Sequence, residues 1–157
     1  MPSPIDRLAD RVSAILQILG VALLSLLVIG VGAQVIFRYF FGVTPQWSEE
    51  VGRYLLIHTT LMGAAVSVHT REHIRLDIIV KALPALLQVL IDRANRLIAL
   101  GLFGLLTWYG IETVDFMWGQ RSQGLRIPLA WSFMGLPVYF GLAFLFALLG
   151  LVRGRRA

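Results

Sequence analysis

Long apolar runs, fenced by short clusters of charge, divide this chain. The most informative run, Tyr54 to Thr70, holds no acidic or basic residue apart from His58 and His69. Glu49, Glu50 and Arg53 precede it, and Arg71, Glu72, His73, Arg75 and Asp77 follow it. At about 1.5 Å per residue a helix of this length spans about 25 Å, just short of a hydrocarbon core of about 30 Å. Charges so close to lipid are costly, and are expected to pair, to snorkel or to face another protein. The pattern predicts a membrane helix with a polar collar at both mouths.

Three more runs repeat the theme, giving predicted spans over 12–37, 46–70, 90–118 and 128–152. Helices are the expected form, because open strands in lipid leave backbone groups unpaired. The fold class is therefore all-α, a single membrane domain over residues 1–157 with four spans. The first span carries Arg7 and Arg11 before it and Val31-Gly32-Ala33 near its end, but its apolar stretch is too long for a cleaved signal and reads as an uncleaved anchor. Pro137 predicts a kink in the fourth span. Between Leu83 and Leu97 an apolar stripe of Leu83, Leu86, Leu87, Leu90, Ile91, Ala94 and Leu97 faces away from Gln88, Asp92, Arg93, Asn95 and Arg96. With Pro84 as its start, this helix either lies along the membrane surface or extends the third span.

Composition sharpens the class. Apolar residues make up 57% of the 157 and charged residues 15%, with a mean hydropathy of +0.76. A soluble domain carries about 25% charge, so a water-exposed fold is excluded. The isoelectric point of 10.4 is no sign of nucleic acid, because the basic residues sit in short clusters between apolar runs. They set topology instead. Ten Lys and Arg fall on the side of both termini and four (Arg38, Arg53, Arg121 and Arg126) on the other, which predicts cytoplasmic termini. Trp47, Trp118 and Trp131 then mark the outer interface. The absence of cysteine rules out disulfides and thiolate metal sites.

Local chemistry is sparse. Thr44 and Pro45 read as the cap and first residue of the second helix, with Glu49 and Glu50 favoured by the helix dipole. Glu49 and Arg53 stand at i,i+4 in the better order for a pair. Small residues Gly20, Gly30, Gly32 and Ala33 offer close helix contact in the first span, and Gln17 and Gln34 are expected to bond to neighbouring helices. Glu112 and Asp115 are expected to pair with Arg38, Arg121 or Arg126.

Rival functions fail on spacing. His69-Thr70-Arg71-Glu72-His73 fits the HxxEH pattern of some zinc peptidases, yet no separate domain offers a third ligand or a cleft. A haem-b anchor of a redox complex is the main alternative. However, His58 and His69 lie about 16 Å apart on one helix, and spans one, three and four hold no histidine. A stand-alone exporter, the third class, needs an ionisable group in mid-membrane, and no acid lies there. His58 reads instead as a packed imidazole.

From Phe37 to Pro84 the chain resembles the small, Q-type membrane subunit of tripartite ATP-independent periplasmic (TRAP) transporters. The residues that carry the resemblance are Phe37-Arg38-Tyr39, Trp47-Ser48-Glu49-Glu50, Arg53-Tyr54, Gly63-Ala64-Ala65, Arg71, His73-Ile74, Asp77 and Leu83-Pro84. His58 and Glu72 depart from the aromatic and small residues expected at their positions. The resemblance implies a non-catalytic subunit of a sodium-driven uptake system for organic acid anions, in the bacterial or archaeal inner membrane. It implies two protein partners, a large membrane subunit on a separate chain and a periplasmic binding protein, with no cofactor, metal or substrate site on this chain. Arg38, Trp47, Glu49, Glu50, Arg53, Tyr54, Arg71, His73 and Asp77 become candidate structural or interface residues.

Overall fold

The computed structural model describes residues 4–43, 45–70 and 85–152. Helix α1 spans Pro4–Ile36 and continues through a π-helical turn, Phe37–Phe41, that ends at Gly42 in a left-handed conformation (φ 66°). Helix α2 is Gln46–Thr70 and α3 is Ala85–Met117. The short α4, Ala130–Phe133, and α5, Gly135–Val152, together make the last crossing. Among the described residues, four helical segments are long and apolar enough to span a membrane. The all-α class and the number of spans are as the hydropathy predicts.

Helix α1 starts at Pro4, ahead of the apolar run that begins at residue 12, and α3 starts at Ala85, which takes the second of the two alternatives for the stripe before the third span. Each is 33 residues long, or about 50 Å, well beyond the hydrocarbon thickness. Backbone hydrogen bonding carries a helix past the point where its side chains turn polar, and Asp6 in the first turn of α1 suits the helix dipole. The stripe from Leu87 to Leu97 is thus one helix with the third span. Thr44 and residues 71–84, with the expected collar of Arg71, His73 and Asp77 and the helix start at Pro84, lie outside the described residues.

Helix α2 buries Met62, Ala65 and Val66, spaced i, i+3, i+4, so one stripe serves both of its neighbours. Met62 and Val66 join Ala9 and Leu16 of α1 and Phe146 of α5, while Ala65 joins Phe103 of α3 and Ala143 of α5. Packing follows the order α1, α2, α5, α3, a row whose flanks are α1 and α3. The flanks leave large apolar side chains bare, among them Ile18, Val28 and Ile29 on α1 and Ile98, Trp108 and Phe116 on α3. Such faces belong against lipid or another membrane protein.

The fourth crossing breaks at Met134, ahead of the predicted kink at Pro137. Proline has no N–H for the carbonyl of Phe133, and its ring crowds that carbonyl. The chain closes the gap with Met134 N–H donating to the Ala130 carbonyl (2.9 Å) and Val138 N–H to the Met134 carbonyl (3.4 Å). Gly110 of α3 fits against this break. A Cβ there would stand 3.0 Å from the Pro137 nitrogen.

The end of the row that carries Asp10, His69 and Arg96 is the terminal end; the other, with Glu50 and residues 118–129, is the collar end. At the terminal end His69 Nε2 lies 2.8 Å from Asp10 Oδ1, pinning α2 to α1, and its ring packs on Phe146 at 4.7 Å. Arg96 of α3 donates to the Gly150 carbonyl (2.9 Å) in the last turn of α5. Carbonyls there have no intrahelical partner and favour a cation.

Candidate functional site

Residues 118–129 join α3 to α4 as a small hairpin. Ser122 N–H donates to the Ile127 carbonyl and Leu129 N–H to the Gln120 carbonyl, both at 2.9 Å, with Arg121 bridged to Pro128. Arg121 Nη1 donates to the Arg126 carbonyl at 3.4 Å, and Arg126 takes a left-handed φ of 55°. That conformation is costly for a residue with a Cβ.

The tip of this hairpin is held by α2. Glu50 Oε1 accepts the Gly124 N–H at 2.8 Å and Oε2 accepts the Leu125 N–H at 3.1 Å. Two successive amides converging on one carboxylate form a nest in which the anion is supplied by the protein itself. Glycine is needed at the tip because the chains nearly touch: a Cβ on Gly124 would stand 3.0 Å from the Trp47 nitrogen and Cα.

Between α2 and the hairpin lies a polar groove of about 650 Å³. Glu49, Glu50, Arg53 and Tyr54 line one wall, and Gln120, Arg121, Ser122 and Gln123 the other. Four of the candidate residues thus meet in one site. Trp47 does not line the groove: its backbone lies against Gly124 at the hairpin tip, and the residue borders an apolar cavity between α2 and α1. Arg38 is exposed on the π-helical turn and does not line the groove. Arg71, His73 and Asp77 are outside the described residues.

Several local pairings differ from expectation. Among the described residues Glu49 and Arg53 form no ion pair; both are exposed. An exposed i,i+4 pair is worth only about 0.3–0.5 kcal/mol, so hydration competes with it. Glu112 accepts from the Trp108 indole at 3.0 Å and not from an arginine, and Asp115 likewise makes no ion pair among the described residues. Gly30 and Gly32 have no neighbour within Cβ contact, whereas Gly20 lies against Met62. Gln17 and Gln34 have no hydrogen-bond partner among the described residues. His58 is packed, edge-on to Tyr139 (5.8 Å, 82°), with Gly135 leaving room for its ring.

The hairpin was the element that sequence reasoning missed. Its signal is modest: Ser122-Gln123-Gly124 has turn composition, and Pro128 bounds it. The Asp10–His69 contact left no local trace, since 59 residues separate the partners.

Fold and site together define a multi-pass helical membrane protein whose polar side chains are braced at the ends of its spans. A family profile described as the DctQ component of tripartite ATP-independent periplasmic transporters matches residues 27–157. The chain belongs to this family of TRAP small permease subunits. It is similar to an ectoine TRAP transporter small permease protein, TeaB, of Halomonas elongata, at 28% identity over 90% of this chain and 75% of that one. It is 31% identical to a putative TRAP transporter small permease protein of Haemophilus influenzae, over 54% of this chain and 52% of that protein. A third relative, the isethionate TRAP transporter permease protein DctMQ of Oleidesulfovibrio alaskensis, is 29% identical over 61% of this chain but only 15% of its own length.

Proposed function

We propose that this chain is the non-catalytic small subunit of a sodium-driven uptake system for organic acid anions. It widens and steadies the membrane scaffold of a large permease subunit on a separate chain. Its collar end faces the periplasm across the inner membrane, with both termini cytoplasmic, and helps to seat the periplasmic binding protein on the polar groove.

One observation carries this reading. No acid, lysine or arginine lies in the middle of any described span, and Glu50 is committed to bracing a hairpin. A coupled carrier needs ionisable or ion-ligating groups at depth. Two further features support it. The row has bare apolar flanks suited to a large membrane partner. The isethionate relative also matches this chain over a small fraction of a longer permease, so the unit works there as part of a larger one.

The test is reconstitution in liposomes with the binding protein outside, comparing this subunit, the large subunit and the pair. Sodium-dependent uptake of an organic acid should require both. Robust uptake by this chain alone would overturn the reading.

A further inference from the structure

A bare seam runs the length of the third crossing. On α3, Ile98, Leu102, Leu105, Tyr109, Glu112 and Phe116 follow one another at alternating steps of four and three. All but Glu112 are large apolar or aromatic side chains, each more than half exposed, and Glu112 is exposed as well. A spacing of about 3.5 residues is the one that holds two helices side by side over several turns. Lipid accepts the apolar members of such a seam but not a carboxylate.

Depth makes Glu112 informative. It and Arg96 bound the uncharged stretch 97–111 of α3. At about 1.5 Å per residue they stand about 24 Å apart, against a hydrocarbon core of about 30 Å. Arg96 is held at the terminal end by the Gly150 carbonyl, so the shortfall sets Glu112 about one turn inside the hydrocarbon at the collar end. Snorkelling does not relieve it. Helical side chains lean toward the helix N-terminus, which for α3 is the terminal end. Trp108, one turn deeper, donates its indole N–H to Glu112 Oε1 at 3.0 Å. The carboxylate is thus drawn toward mid-membrane, and no cation pairs with it among the described residues. A second copy of this chain does not answer the charge, because two parallel copies joined along the seam would set Glu112 against Glu112. The other bare flank, on α1, carries no charge between Val12 and Phe37 to call for a partner.

Resting on the reading that a large permease subunit is the partner, we propose that this seam of α3 docks one of that subunit's membrane helices. The docked helix brings a lysine or arginine to Glu112 in the leaflet at the collar end. Apolar packing along the seam makes the contact, and the ion pair sets its register, because a slip of one turn leaves both charges unpaired in lipid.

The test uses the subunit co-expressed with its large subunit. A photoreactive benzoylphenylalanine replaces Tyr109, already an exposed aromatic, or Val28 on α1 as the comparison site. Irradiation should join the first position to the large subunit severalfold more than the second, and the labelled helix should carry a lysine or arginine. Glu112→Gln keeps an acceptor for Trp108, so it should leave thermal unfolding of the isolated subunit unchanged while lowering recovery of the complex severalfold. Glu112→Lys should lower recovery further, and exchanging the partner cation for glutamate should restore it. Parent-level recovery with Glu112→Gln would overturn this docking face while leaving the large subunit as partner. So would a labelled helix without lysine or arginine, or adducts at Val28 that match those at Tyr109. If the parent chain does not co-purify with the large subunit at all, the reading beneath the proposal falls with it.

Discussion

Glu50 and Gly124 lie 74 positions apart in the chain, yet the carboxylate of one accepts the backbone N–H of the other at 2.8 Å. The contact ties the first turns of α2 to the tip of the hairpin between α3 and α4. It makes the collar a cross-braced unit, where the sequence alone suggests a row of surface charges.

Replacing Glu50 by alanine should therefore loosen the hairpin before it affects the helices. Trypsin should cut after Arg121 and Arg126 severalfold faster in Glu50→Ala than in the parent chain, while the helical circular dichroism in detergent stays constant. Glu50→Gln, which keeps one acceptor oxygen, should fall between. Equal cleavage rates in all three would mean that the hairpin holds itself.

Gly124→Ala should destabilise the protein by about 1–3 kcal/mol, the usual penalty for overpacking, because the new methyl meets the Trp47 backbone and not a movable side chain. Gly101 offers the control. It is helical with open space around it, so Gly101→Ala should be neutral or stabilising by up to about 1 kcal/mol through helix propensity. Thermal unfolding of the two variants in one detergent compares them directly.

The charge asymmetry predicts orientation. A periplasm-active reporter inserted near Gln123 should be active, and the same reporter fused after Ala157 silent, since ten of the 14 basic residues cluster on the side of the termini. The opposite pattern would turn the collar toward the cytoplasm and end its proposed role in docking.

Spans were legible because lipid imposes a single rule on long stretches, and Glu49, Glu50, Arg53 and Tyr54 stood out because polarity at a membrane boundary is conspicuous. Trp47, Trp118 and Trp131 were likewise readable as one belt, and all three are exposed near the collar end. What the sequence concealed was the choice of partners. Glu50 binds backbone amides, which carry no side-chain signature, and it bypasses the arginines that local spacing would assign to the acids nearby. Arg96 similarly finds a carbonyl, and His69 an aspartate on another helix. The extension of α1 before its apolar run was hidden for a related reason: hydropathy marks where lipid ends, not where helical hydrogen bonding stops.

The break at Met134 has a kinematic consequence. Interrupted helices in transporters commonly line the moving or ligand-binding parts, because freed backbone groups can serve ions and the segments can pivot. Here the pivot has no clearance. Pro137 is seated on Gly110, where even one methyl would stand 3.0 Å from its nitrogen, and α3 runs unbroken behind it for 33 residues. The bend is a joint that has been filled, so moving α5 further toward α3 at Pro137 would drive proline into a neighbouring backbone. The last crossing therefore turns a fixed corner, held by the unbroken helix behind it.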